Sequence, residues 1–245
     1  MRTVAFYGSS TIAGKGQAFN ILSALQKRHE NIKFINLGVG GDNAYDALQR
    51  IDSVIKCNAD QIIILIGGND VLIEIFPKLK RLLNFIKSSP QQSNPAEFEK
   101  NMRTIVHLLK TKTHARIALS SLTLIGENVT NPTSIQKRLN DSIQLHSSII
   151  KKITEDENID YIPFYESMYK ITENNPGKSY KDFAILPMYR DAFRTLVLGW
   201  TPDKVAIKNG WTYHSDGIHL NSKGAFVFIN LVEDYLNKTK DEASS

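Results

Sequence analysis

The run Gln61-Ile62-Ile63-Ile64-Leu65-Ile66 is continuous and dominated by β-branched residues, with no alternation of polar and apolar side chains. A strand of this composition is covered on both faces, which places it inside a sheet flanked by helices on either side. Other segments fall in step with it. Residues 2–8 read as a short apolar strand running into Gly8-Ser9-Ser10, and Ile32 to Val39, Ala115 to Ser121 and Asp160 to Phe164 supply three more strands. Between them lie helical periodicities: Phe19, Leu22 and Leu25; Tyr45, Leu48, Ile51 and Ile55, with Asp42 as the expected N-cap; Phe98, Met102, Ile105 and Leu109; Ile135, Leu139, Ile143, Ile150 and Ile153. A last helix is expected from Ser222, packing through Phe226, Ile229, Val232 and Leu236, with a disordered-looking tail from Lys238. Five strands alternating with helices give an α/β fold, a doubly wound parallel sheet.

At 245 residues and 42% hydrophobic, the chain buries a substantial core, and one domain spanning 1–245 with insertions is expected. Two segments break the alternation. The first, residues 71–95, is rich in Leu, Ile and Phe from Val71 to Lys87 but interrupted there by Pro77, which predicts two short helices. Residues 165–213 hold both tryptophans, Trp200 and Trp211, with Tyr169, Tyr180, Phe183, Tyr189 and Phe193. Both leave the sheet edge that carries Ser10, and they read equally as lids or substrate walls and as ordinary extra packing. The net charge of +5 is spread among acidic residues, which reads first as a solvated surface and only second as a weak attraction to anionic lipid or polyanions; no nucleic-acid partner is expected. The single cysteine, Cys57, excludes an internal disulfide and fits a reducing compartment. No apolar run reaches membrane-spanning length and no leader is visible. The expectation is a cytoplasmic protein, or a secreted one whose leader was removed.

Four turns carry the chemistry: Gly8-Ser9-Ser10, Gly40-Gly41-Asp42, Gly67-Gly68-Asn69-Asp70 and Asp216-Gly217-Ile218-His219. Three follow strands, at the sheet edge where open α/β folds place their sites. A serine hydroxyl needs a base titrating near neutral pH, and that base needs a partner that fixes its tautomer. Ser10, His219 and Asp216 answer to those roles. An oxyanion needs donors, and the backbone amides of Ser10 and Gly41 with the side-chain amide of Asn69 are suited to it. Taken singly, each of these residues is a turn or capping residue; taken jointly, they make an acyl-transfer site. His214 is a rival base without an aspartate at the matching offset, and His146 lies on an apolar helical stripe as a core or boundary histidine. His29, His107 and His114 have no partner pattern, and no set of residues has metal-ligand spacing.

These four blocks, in this order, resemble the GDSL or SGNH hydrolases, a family of esterases, lipases, thioesterases and carbohydrate deacetylases. The resemblance spans nearly the whole chain. It implies a flavodoxin-like three-layer α/β/α fold, a nucleophile at Ser10, an oxyanion hole from Ser10, Gly41 and Asn69, and an Asp216–His219 pair, with no metal and no organic cofactor. The family's first block usually reads Gly-Asp-Ser, and Ser9 stands here in place of the aspartate.

The competing class is a nucleotide-binding protein, because Ser9-Ser10-Thr11-Ile12-Ala13-Gly14-Lys15-Gly16 follows a first strand. It lacks the first glycine and the metal-binding hydroxyl of a phosphate-binding loop. A non-catalytic flavodoxin-like binding module is the third class. The nucleophile elbow of the α/β-hydrolases is absent at Ser10. The reading that follows is a serine ester hydrolase working through an acyl-enzyme. The aromatic insert favours a lipid or other acyl ester as the small-molecule substrate, with a carbohydrate O-deacetylase as the alternative.

Overall fold

The computed structural model describes residues 1–81, 93–182 and 185–244. Its centre is a five-stranded parallel sheet in the order β2-β1-β3-β4-β5, built from β1 (Arg2–Gly8), β2 (Ile32–Gly38), β3 (Gln61–Leu65), β4 (Arg116–Ser120) and β5 (Asp160–Ile162). Every strand pair is parallel, with Gly8 opposite both Gly38 of β2 and Leu65 of β3. All five residues of β3 are buried, as its unbroken apolar run requires. Chain order reverses between β1 and β3. Open α/β sheets form a crevice at such a switch point, outside the carboxyl ends of the strands.

Helices cover both faces: α1 (Ser10–Ala13), α2 (Ile21–Arg28), α3 (Ala44–Gln49), α4 (Asp52–Lys56), α5 (Gly68–Ile75), α6 (Pro95–Lys112), α7 (Ser134–Glu157), α8 (Phe164–Asn174), α9 (Ile185–Leu196), α10 (Pro202–Asn209) and α11 (Ser222–Ser244). The long helices α6 and α7 begin where a side-chain oxygen accepts a backbone amide, Asn94 from Glu97 and Thr133 from Gln136, each meeting one of the donors a helix start leaves open. They bury Phe98, Met102, Ile105 and Leu109 from one and Leu139, Ile143, Ile150 and Ile153 from the other, the stripes their spacing predicts. His146 is fully buried with its ring 4.7 Å from that of Phe98, in the core.

Several expectations change. Asp42 is not the N-cap of the next helix; Asn43 is, in a reciprocal capping box with Asp46, and the single helix expected through Ile55 is two short ones, α3 and α4. Asp42 is committed elsewhere, to Arg50. Pro77 does end α5: Phe76 takes an extended conformation, and helix resumes at 77–81. The remainder of the proposed 71–95 insertion, 82–92, lies outside the described residues. The 165–213 insertion contains α8, α9 and α10. Phe183 lies outside the described residues. The tail from Lys238, expected to be disordered, continues α11 to Ser244.

Candidate active site

Ser10 opens α1 directly after β1. The amide of Ala13 donates to Ser9 O (2.9 Å) and that of Gly14 to Ser10 O (3.1 Å), and the turn stops at Gly14, whose φ of 61° is left-handed. The approach to the turn admits no side chain, because a Cβ on Gly8 would lie 2.3 Å from Leu65 O. Ser10 therefore sits at the switch point, half-buried, and its hydroxyl makes no hydrogen bond among the described residues. It lines a recess of about 30 Å³ together with Asn69 and the apolar side chains of Leu72, Leu122, Ile125 and Ile218.

Asn69 stands in the first turn of α5, and its Nδ2 donates to Asp42 O (2.8 Å). That bond orients the amide and leaves its second N–H for another acceptor. Gly41 lies in the turn after β2, closed by Asp42 N–H to Val39 O (3.3 Å), where its φ of 80° demands glycine. It is not among the residues lining the recess.

The turn bearing Asp216 and His219 is closed on itself and tied to the Ser10 side of the molecule. Ser215 N–H donates to His219 O (2.8 Å), Ser215 Oγ donates to Gln17 O (2.8 Å), and Phe19 N–H donates to Leu220 O (3.0 Å). Within it, His219 Nδ1 donates to Asp216 Oδ2 (2.7 Å), while Asp216 Oδ1 accepts the amides of Ile218 (2.9 Å) and His219 (2.8 Å). Burial alone pushes the Asp216 carboxyl up, but the charge and hydrogen bonds of His219 and the two amides outweigh it and hold the pKa below the ordinary value. Burial likewise works against the imidazolium of His219, and the charge and hydrogen bond of Asp216 win, so its pKa is raised. Both residues line a cavity of about 420 Å³ walled by Lys178, Tyr180, Arg190, Lys208 and Trp211. This cavity and the Ser10 recess meet at Ile218, which lines both. No hydrogen bond joins Ser10 to His219 among the described residues.

Three supports went unseen in the sequence. Arg50 pairs with Asp42 (Nε to Oδ2, 2.6 Å), donates to Leu37 O (2.8 Å) and Gly8 O (2.9 Å), and lies 4.3 Å from the ring centre of Tyr7. One guanidinium thus fixes the ends of β1 and β2 to the Gly41 turn. Asp70, next to Asn69, is buried; it accepts Ala44 N–H (3.0 Å) and Ser93 Oγ–H (3.0 Å), joining the start of α5 to that of α3, and burial raises its pKa to about 7. The third is a second carboxylate–histidine pair. His214 faces Glu127 Oε1 through Nδ1 (3.0 Å) and Leu124 O through Nε2 (2.9 Å), and Glu127 also accepts the amides of Thr212, Tyr213 and His214. The missing aspartate of His214 is a glutamate 87 positions away, a distance no local offset reveals. The available signal was a charged residue, Glu127, just past the end of the fourth strand.

Among the described residues, no group of three or more His, Cys, Asp or Glu is arranged to hold a metal, and no helix is long and apolar enough to cross a membrane. The family model of the GDSL-like lipase/acylhydrolase family matches residues 6–225. No curated protein matches the chain in sequence. Among solved structures, an acetyl xylan esterase is 18% identical with a TM-score of 0.65, over 95% of this chain and 98% of that one. A lipase/acylhydrolase from Enterococcus faecalis is 16% identical with a TM-score of 0.62, over 98% and 97% of the two chains. A GDSL-like lipase from Bacteroides thetaiotaomicron is 17% identical with a TM-score of 0.61, over 97% and 89%. At these identities the likeness is one of fold.

Proposed function

Since the chain belongs to the GDSL-like lipase/acylhydrolase family, we propose that it hydrolyses esters through an acyl-enzyme on Ser10, with His219 as general base and Asp216 as its orienting partner. The observation that carries the reading is the His219 Nδ1 bond to Asp216, which leaves Nε2 as the nitrogen for proton transfer. In this mechanism His219 takes the hydroxyl proton as Ser10 Oγ attacks the ester carbonyl. It returns the proton to the departing alcohol oxygen, then removes one from the water that attacks the acyl-enzyme and delivers it to Ser10 Oγ as the acid leaves. The amides of Ser10 and Gly41 and the free N–H of Asn69 Nδ2 stabilise the oxyanion, each worth about 10²–10³ in rate. The whole chain acts as one domain, with the 165–213 segment as the wall of the larger cavity. No step calls for a metal or an organic cofactor.

The sizes of the two spaces favour a short acyl group. A recess of about 30 Å³ beside Ser10 suits an acetyl-sized tail, and the cavity of about 420 Å³ beside His219 suits a bulkier alcohol. Hydrolysis of a p-nitrophenyl ester series from acetate to palmitate tests both points. The wild type is expected to prefer acetate, and Ser10→Ala to lose turnover at every length. Turnover retained in Ser10→Ala would overturn the mechanism, and a long-chain optimum would overturn the acyl assignment alone.

A further inference from the structure

Residues 193–207 hold five of the nine large apolar side chains that are exposed among the described residues: Phe193, Leu196, Val197, Leu198 and Ile207, each 53–82% accessible. The first four form the end of α9 and the turn after it, where Val197 and Leu198 N–H both donate to Phe193 O. Clustered exposure of this kind marks a contact surface. Trp200, two residues past Leu198, has Arg194 5.1 Å and Lys204 4.5 Å from its ring centre. Residues 178–208 carry six lysines and arginines against three aspartates; Arg190 and Arg194 are paired with Asp191, while Lys178, Lys181 and Lys208 line the neighbouring cavity. Apolar side chains beside an aromatic and a basic border match the boundary layer of an anionic bilayer. A second copy of this chain fits less well, because a two-fold contact would set the same cations against one another.

The patch is fixed relative to the active site. Asp191 of α9 accepts Arg194 Nη1 (2.8 Å) and Asn209 Nδ2 (2.8 Å), and Asn209 Nδ2 also donates to Ser215 O (3.0 Å), one residue before Asp216. Arg190, Asp191, Lys208 and Asn209 themselves line the cavity that holds His219. We propose that the α9–α10 surface docks on an anionic lipid bilayer and so presents the cavity to esters held at that surface. The apolar bulk of the insert then serves the outside of the protein instead of an acyl pocket. The purpose of docking rests on the ester-hydrolase reading, while docking itself is measured without catalysis.

The test is co-sedimentation of Ser10→Ala protein with vesicles of phosphatidylcholine alone or mixed with phosphatidylglycerol. The mixed vesicles are expected to retain the protein, less so as salt rises. Leu196→Ser with Val197→Ser is expected to weaken binding about 10-fold or more, and Lys204→Glu by roughly 5-fold or more. In the chain with Ser10 intact, these substitutions should leave hydrolysis of soluble p-nitrophenyl acetate unchanged. Failure to bind the mixed vesicles, binding unaffected by the double substitution, or a dimer that the double substitution dissolves would each overturn the proposal. Docking that persists in a protein without any esterase activity would support the surface and strike only at the hydrolase reading.

Discussion

Two carboxylate–histidine pairs lie a few residues apart in the same turn region, and they differ in what surrounds them. The Asp216–His219 pair is 11% and 19% exposed at its side chains and opens on the large cavity; the Glu127–His214 pair is 0% exposed on both sides. His219 bonds through one ring nitrogen, whereas His214 has both nitrogens committed to acceptors. A histidine with no free nitrogen and no solvent path cannot relay a proton to a substrate. Glu127, fastened to three successive backbone amides, holds the chain just before the candidate catalytic turn. Under the proposed mechanism the same two functional groups serve proton transfer in one place and anchorage in the other, and the number of uncommitted ring nitrogens separates them.

Substitutions that separate rate from stability break the comparison most sharply. His219→Ala is expected to lower kcat/KM by roughly 10⁴- to 10⁶-fold with the melting temperature near wild type, measured by ester hydrolysis and calorimetry. Asp216→Asn should cost about 10³–10⁴-fold. It should also move the acid limb of the kcat/KM profile to lower pH, since Asp216 is what raises the pKa of His219 and the base works in its neutral form. An acid limb that stays in place would separate the two residues.

Glu127→Gln should do the reverse: a stability loss of about 2–4 kcal/mol, with kcat/KM of the folded fraction nearly kept. The pH dependence follows from its shift. Burial pushes the Glu127 carboxyl up, but His214 and the backbone amides hold its pKa below the ordinary value. Its contribution is therefore complete above the unfolded-state value of about 4.3 and is lost as pH falls through the folded value. Denaturant melts should show wild type and Glu127→Gln converging in acid.

The effect at Asp70 runs in the opposite direction to that at Glu127. Its folded pKa of about 7 exceeds the unfolded value, so ionisation opposes folding as pH rises from about 4 towards 7. Asp70→Asn should gain on wild type in melting temperature between pH 5 and pH 8. A difference independent of pH would show that Asp70 is not the titrating group.

The contrast also marks what the sequence made legible. The unbroken apolar run of β3 announced a buried parallel strand, and glycine-bearing strand ends marked the sheet edge at which the site is proposed, because local composition controls both. Asp216 and His219, three residues apart, could be paired on paper. Glu127 and Arg50 could not, since each acts through contacts that exist only after the sheet has brought distant turns together. Asp42 misled for a related reason: as an N-cap it competes with its neighbour Asn43, and the pairing with Arg50 decided the outcome.

The most direct measurement is the rate of fluorophosphonate labelling, followed by peptide mapping, in wild type, His219→Ala and Glu127→Gln. The account predicts modification at Ser10 alone, with the rate collapsing in His219→Ala and nearly retained in folded Glu127→Gln. Labelling at another residue, or a rate that depends on Glu127 and not on His219, would contradict it.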